Sequence, residues 1–332
     1  MAFTAEQYQQ AWSSATFGEV RRKSLMFGLT SRMNTEAWVN GSTVVNIPLP
    51  AWTNVASTDR ARGANWVAAK DVSQTLKKFE RSGGLTVANK VLWEDQIEVP
   101  WAVVEETRSR QAYEMSKTLD DKVYAAITAA IAGETSTPNF QAYGSNTNSI
   151  DRVSGKAANA AAEALPYEII DDFSLKLANS DLDPGDGQAL GQKYVVMRPT
   201  VFRVLSNYLL DKRYSYDPIT TDVLQQNTLF AGASWEGRLK GIDIYSWTGS
   251  PMPTGKKSNT AANRAANWQV LCGVRNGAIA NTRPPLTQFF TPSTNQVSPN
   301  PEYLLRQVME YGHLVMDESY FTLAGIDGGA DS

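Results

Sequence analysis

One stretch of this sequence restricts the choice of fold more than any other. Ala112, Met115, Leu119, Val123, Ile127 and Ile131 recur three or four residues apart, the spacing that lines one face of a helix. Arg108, Arg110, Lys117, Asp121 and Lys122 fall on the opposite positions, suited to water or to a partner. Pro100 fits the first turn, where its missing N–H costs nothing. Glu105 and Glu106 bring negative charge to the positive end of the helix dipole, and Gly133 ends the pattern as a C-terminal glycine. Roughly thirty residues rising 1.5 Å each predict a rod of about 45 Å, longer than a small domain is wide. Taken alone, the pattern also fits an ordinary long core helix.

A polar arm precedes the rod. Val45, Ile47 and Leu49 alternate with Asn46, Pro48 and Pro50, which predicts a half-buried strand that the prolines keep at an edge. Residues 51–70 carry turn formers and mixed charge, among them Asn54, Ser57, Asp59, Arg60, Arg62 and Gly63. A second extended pass over 73–81 is expected to turn at Ser82, Gly83 and Gly84 and to return through Leu85 to Trp93. Its Lys77, Lys78, Glu80, Arg81 and Lys90 are too dense for a covered sheet. A lone two-stranded ribbon is marginal in water. Such an arm is expected to be mobile in a free subunit and ordered when laid across another molecule.

Composition bounds the options without choosing among them. At 332 residues the chain can bury a sizeable core and form two lobes. A formal net charge of -3 gives no bulk basic character to attract nucleic acid or anionic membrane. Cys272 is alone, which excludes an internal disulfide and a cysteine-based zinc site. No apolar run approaches the roughly 18 residues that span a bilayer, and the opening MAFTAEQYQQ lacks a signal-peptide core. A soluble intracellular product with no membrane partner is expected.

The remaining blocks are legible in outline. Residues 1–40 are polar, with helical promise over 6–12 and a basic cluster at Arg21, Arg22 and Lys23; such a segment has no core of its own and should drape over something. Residues 134–160 are a loop by composition. A helix is predicted over 166–178, with Ile169, Ile170, Phe173, Leu175 and Leu177 as core candidates. A buried strand follows at 193–197, then a helix from Pro199 carrying Val201, Phe202, Leu205, Tyr208 and Leu209. Strands at 239–247 and 268–272 flank a Gly-, Pro- and Ser-rich loop over 248–267, and residues 303–323 return to extended structure.

A catalytic set is hard to assemble. His313 is the only histidine, in the strand-like MEYGHLVMD, and reads as structural; no other histidine can activate a nucleophile. Cys272 lies in an apolar run and reads as packed. The adjacent acids Glu105–Glu106, Asp120–Asp121 and Asp171–Asp172 sit on helices, where neighbours point apart. DLDPGDG resembles a calcium loop but fails its spacing: Asp186 stands where the glycine is required and Gln192 replaces the terminal Glu. No phosphate-cradling glycine motif or nucleophile elbow is present. No catalytic, cofactor-binding or metal-binding residue is assigned, and an enzyme is not expected.

The order of parts resembles the major capsid proteins of tailed bacteriophages, with the Hong Kong 97 capsid fold. TVVNIP and GANWVAAKDVSQTLKKFE resemble that family's extended loop; VLWEDQIEVP and TLDDKVYAAITAAIAG resemble its entry strand and spine helix. VVMRPTVFRVL resembles the axial domain's strand and helix, GRLKGIDIYSW and LCGVRNGAIA its later strands, and QVMEYGHLVMDESYFTLAGI its closing strands. The resemblance spans nearly the whole chain, carried by the succession of parts and by no single motif. It implies an α+β fold with an N-terminal arm over 1–42, an extended loop over 43–92 and a peripheral domain with the spine helix over 93–160. An axial α/β domain over 161–290 and peripheral return strands over 291–332 complete it.

The resemblance implies assembly as the function. Copies would form pentamers and hexamers that close into an icosahedral shell, the virion capsid, around packaged double-stranded DNA bound without sequence specificity. Assembly would take place in the host cytoplasm, with a separate scaffolding protein, a portal and decoration proteins as further partners. Inter-subunit contacts would fall on Arg60, Arg62, Trp66, Lys77, Lys78, Glu80, Arg81, Arg108 and Arg110. Some family members cross-link a loop lysine to a neighbour's asparagine, but among Lys70, Lys77, Lys78 and Lys90 none stands out for it. The alternatives are an encapsulin-like compartment shell, or a soluble hydrolase or binding domain.

Overall fold

The computed structural model describes residues 16, 18–20, 23–32, 35–49, 75–92, 102–132, 140–143, 166–179, 191–214, 229–230, 233–252, 268–290, 302–316 and 320–326. The elements begin with α1 (Leu25–Gly28), α2 (Glu36–Val39), β1 (Val44–Leu49), β2 (Thr75–Glu80), β3 (Gly83–Leu92) and α3 (Ala102–Ala132). Next come β4 (Phe140–Tyr143), α4 (Pro166–Asn179), β5 (Lys193–Met197) and α5 (Pro199–Tyr214). The strands β6 (Leu229–Phe230), β7 (Ala233–Leu239), β8 (Ile242–Trp247) and β9 (Gln269–Val274) follow. The series ends with β10 (Ala278–Thr282), β11 (Leu286–Phe290), β12 (Glu302–Val315) and β13 (Thr322–Ile326).

The long helix is α3, at 31 residues. All six residues of its expected stripe are buried. Behind them lies a seven-stranded sheet in the order β4-β13-β9-β5-β8-β7-β6, parallel at β4/β13 and β5/β8 and antiparallel elsewhere. Side chains alternate between its faces. Tyr194, Val196, Tyr245, Trp247, Leu271 and Leu323 join the core that holds the α3 stripe. Val195, Met197, Ile244, Val270, Cys272 and Val274 face the other way, into a second core with Ile169, Ile170 and Phe173 of α4 and Val201 and Leu205 of α5. Cys272 is therefore a packing residue.

A second sheet is organised around β12. Strand β3 pairs along one edge of it from Glu302 to Tyr311. On the other edge β11 covers residues from Leu304 to Val308, and β10 takes over from Tyr311 to Val315. Strands β1 and β2 form a separate antiparallel ribbon, with Val44 opposite Glu80 and Leu49 opposite Thr75.

The segment before the ribbon drapes over α3, as its polar composition suggests. Asp120 of α3 is fully buried and accepts the backbone N–H groups of Leu25 at 2.7 Å and Phe27 at 3.1 Å, so an acid from one helix caps the N-terminus of another. Glu19 takes charge-assisted bonds from Lys23 at 2.6 Å and Arg108 at 3.0 Å.

Several expectations are corrected. The turn at 82–84 closes no hairpin: β2 pairs with β1, while β3 leaves the ribbon to join β12. Leu175 is 58% exposed, on the outer side of α4. The strand expected over 239–247 is broken at Lys240 and Gly241, whose φ values of 50° and 76° turn the chain into the β7–β8 hairpin. The expected loop over 134–160 contains β4, which extends the large sheet beside β13. Residues 6–12, Arg21, Arg22, the DLDPGDG segment and the Tyr208 side chain lie outside the described residues.

Candidate assembly interface

The ribbon β1–β2 has two unlike faces. Ile47 and Phe79 are buried on the inward one, with Val45 beside them, against Trp38, Ile279 and Met316. Val44, Asn46, Leu76, Lys78 and Glu80 are all exposed on the outward one. Two of these are large apolar residues, Val44 at 43% and Leu76 at 59% exposure. Alternation of this kind marks a sheet packed on one face and open on the other, and Val44 and Leu76 place apolar surface on the open face. The described residues of the chain cover only the inward face.

The root of the ribbon is held on both flanks. On the β2 side, Lys77 Nζ donates to the Val315 carbonyl at 3.0 Å. Ser82 donates its backbone N–H to the Tyr311 carbonyl at 3.0 Å, and Ser82 Oγ accepts from the His313 N–H at 3.0 Å. These groups serve the edge of β12 just past the end of its pairing with β3. Gly312 makes the close approach possible, because a Cβ there would sit 2.7 Å from the Glu80 carbonyl oxygen and 2.8 Å from the Phe79 ring.

On the β1 side the anchor is Arg283. Its Nε donates to the Trp38 carbonyl at 3.1 Å, Nη2 to the Ser42 carbonyl at 2.8 Å, and Nη1 to Glu310 Oε2 at 2.8 Å. Its guanidinium lies 4.6 Å over the Trp38 ring. Trp38 in turn meets Phe79 edge-on, with 5.3 Å between centroids. Glu310 also pairs with Arg81 at 3.2 Å.

No family model matches the chain, and no curated protein matches it. Solved structures do. The capsid of the cyanophage P-SCSP1u superposes with a TM-score of 0.58 at 14% identity, covering 92% of this chain and 88% of that one. The mature capsid of bacteriophage PhiM1 gives 0.55 at 16% identity, covering 91% and 86%. A chain of Mycobacterium phage Che8 gives 0.55 at 13% identity, covering 91% and 90%. The chain has the Hong Kong 97 capsid fold.

Within this Hong Kong 97 fold the expected contact residues separate into groups. Arg60, Arg62 and Trp66 lie outside the described residues. Lys78 and Glu80 stand on the outward face of the ribbon. Lys77 and Arg81 are at its root, engaged with Val315 and Glu310. Arg110 is 78% exposed on α3 and pairs with Glu106 one turn away. Arg108 differs from its neighbour: its side chain is 14% exposed and is held by Glu19 within the chain.

Two titratable groups, one beside α3 and one at the root, fit a structural role. The Glu19 carboxyl is opposed by burial but drawn below its ordinary pKa by hydrogen bonds from Lys23 and Ser109 and by the charges of Lys23 and Arg108. His313 stacks on Tyr311 at 6.0 Å, and burial lowers its pKa. Among the described residues no group of three or more His, Cys, Asp or Glu side chains could hold a metal, and no helix is long and apolar enough to cross a membrane. Arg283, Trp38, Glu310 and Asp120 are the positions that sequence reasoning missed. Only the Arg-Pro-Pro run at 283–285, a stiff link that carries the chain straight on from β10 to β11 along the same edge of β12, gave a local hint of one of them.

Proposed function

We propose that this protein is a shell-forming structural subunit, a major capsid protein whose copies join into a closed icosahedral head around double-stranded DNA. One observation carries the reading beyond fold: the ribbon β1–β2 is anchored firmly on one face and left with an exposed, part-apolar face on the other. A second copy is the natural cover. Where the surface that receives the ribbon is a different one, the contact is head-to-tail, and such contacts close into rings when the rotation permits. Rings of five and six supply the curvature of an icosahedral shell. Each contact can be modest, because many repeats of a closed arrangement act together. A scaffolding protein and a portal are the helpers such a shell would use, and packaged DNA would be held through its phosphates without reading sequence.

The test is direct. Protein produced at high concentration should give rings or shells in negative-stain images and a large scattering mass. A stable monomer over the same range would overturn the proposal. Shells that hold a protein cargo and no nucleic acid after production alongside the phage's other head components would point to a compartment.

A further inference from the structure

We propose that Arg283 is the positioning residue that sets the direction in which the ribbon β1–β2 leaves the body, and that this direction decides whether joined copies close into a uniform shell. The inference rests on the assembly function proposed above and extends it to a named side chain. Arg283 follows β10 and precedes Pro284 and Pro285, so its own backbone is stiffly held. Its backbone N–H also donates to the Glu310 carbonyl at 2.9 Å, which ties it to β12. From that fixed base the guanidinium reaches three separate parts. It meets α2 through the Trp38 carbonyl, the entry to β1 through the Ser42 carbonyl, and β12 through the Glu310 carboxylate.

The geometry makes this residue a gauge of angle as well as a clamp. A planar fork with fixed donor directions can satisfy three acceptors only when they hold one mutual orientation. Here the acceptors belong to the body, to the short helix before the ribbon and to the ribbon's first turn. The contact over the Trp38 ring passes the constraint on to β2, because Trp38 packs edge-on against Phe79. With Lys77 and Ser82 holding the other flank on β12, the ribbon is gripped on both sides at its root. A small rotation at the root, where Val44 pairs with Glu80, is magnified at the other end of the ribbon, where Leu49 pairs with Thr75. The root is where shell curvature can be set.

Arg283→Ala, Arg283→Lys and Glu310→Gln test this against a purely stabilising role. In the unassembled subunit, amide exchange of residues 44–49 and 75–80 is compared with that of β5, β8 and β9. For Arg283→Ala the ribbon amides should exchange about tenfold faster, with the large sheet unchanged. Arg283→Lys keeps the charge but has no fork, and should behave almost as poorly as alanine. Glu310→Gln should be milder and serves if the alanine variant does not fold. On assembly, the fork-less variants should yield open sheets, tubes or shells of mixed diameter. Unchanged ribbon exchange, equal speeding of exchange throughout, or shells of wild-type diameter from Arg283→Lys would each overturn the inference. Failure of the wild-type protein to assemble would instead sink the proposed function, while the exchange comparison would still judge the positioning role.

Discussion

Asp120 in the long helix accepts the Leu25 backbone N–H at 2.7 Å, and this bond joins the N-terminal segment to the body of the protein. The carboxyl is fully buried, and no cation contacts it among the described residues. Burial pushes its pKa up to about 8, against the pull of the N–H bonds from Phe27 and Leu25. The folded protein therefore keeps a proton that the unfolded chain releases near its ordinary value of 3.8. Stability from this group is present at low pH and falls as pH rises toward 8, by at most about 1.4 kcal/mol per pH unit. Denaturant unfolding between pH 5 and pH 9 should show the decline. Asp120→Asn should flatten the curve, at a cost of about 1 kcal/mol for the cap bond it weakens. An equal slope in the variant would contradict this assignment.

His313 acts in the opposite sense. Burial lowers its pKa, so the unfolded chain takes up a proton before the folded protein does. Stability is lost as pH falls below the ordinary histidine value of 6.5. Replacing His313 with Phe, which can keep the stack on Tyr311, should remove that acid sensitivity. Thermal melts of both proteins at mildly acidic and neutral pH would show it.

Gly312 and Gly28 make a contrasting pair. A Cβ on Gly312 would press on the Glu80 carbonyl and the Phe79 ring, so Gly312→Ala should cost about 1–3 kcal/mol through overpacking and should loosen the ribbon. Gly28 ends α1 with nothing within 4 Å of an added Cβ. Gly28→Ala should be neutral or stabilising by about 0.5 kcal/mol, through the entropy of the unfolded chain. Equilibrium unfolding of the two variants measures the difference.

In α4, Phe173 is 1% exposed and Leu175 is 58% exposed. Phe173→Ala should lose about 3–5 kcal/mol, whereas Leu175→Ala should stay within about 0.5 kcal/mol of wild type. A large loss from Leu175→Ala in the isolated subunit would contradict its place on the outer surface. If that loss appeared only as weakened assembly, Leu175 would belong to a contact between copies.

How much of this could be read in the chain depended on the range of the signal. The stripe from Ala112 to Ile131 was legible because one helical period repeats over 31 residues. The strands around Val195 and Leu271 were legible as short apolar runs buried on both faces. Leu175 was misplaced because residues two apart on a helix face opposite ways, so Phe173 and Leu177 exclude it from their side. The β7–β8 turn was hidden because Lys-Gly is a weaker turn signal than Asn-Gly between two apolar strands. The pairing of Gly83 with Tyr311 had no local sign at all. The grip of Arg283 on Trp38, Ser42 and Glu310 likewise joins three distant parts of the sequence. The contact residues on the ribbon came from the family resemblance and the charge of the segment, neither of which could separate Lys78, facing outward, from Lys77, whose Nζ is held by the Val315 carbonyl.

The central place of β12 sets an order of events in time. Among the described residues, strand β3, which follows directly on the ribbon, pairs only with Glu302–Val315, synthesised far downstream. The anchors of the ribbon on Val315, Tyr311 and Glu310 wait for the same segment. A chain still emerging from the ribosome holds its arm without a base to aim it. Under the proposed assembly function, nascent chains on one messenger would thereby be kept from joining prematurely, and competence to polymerise would be granted only to a finished subunit.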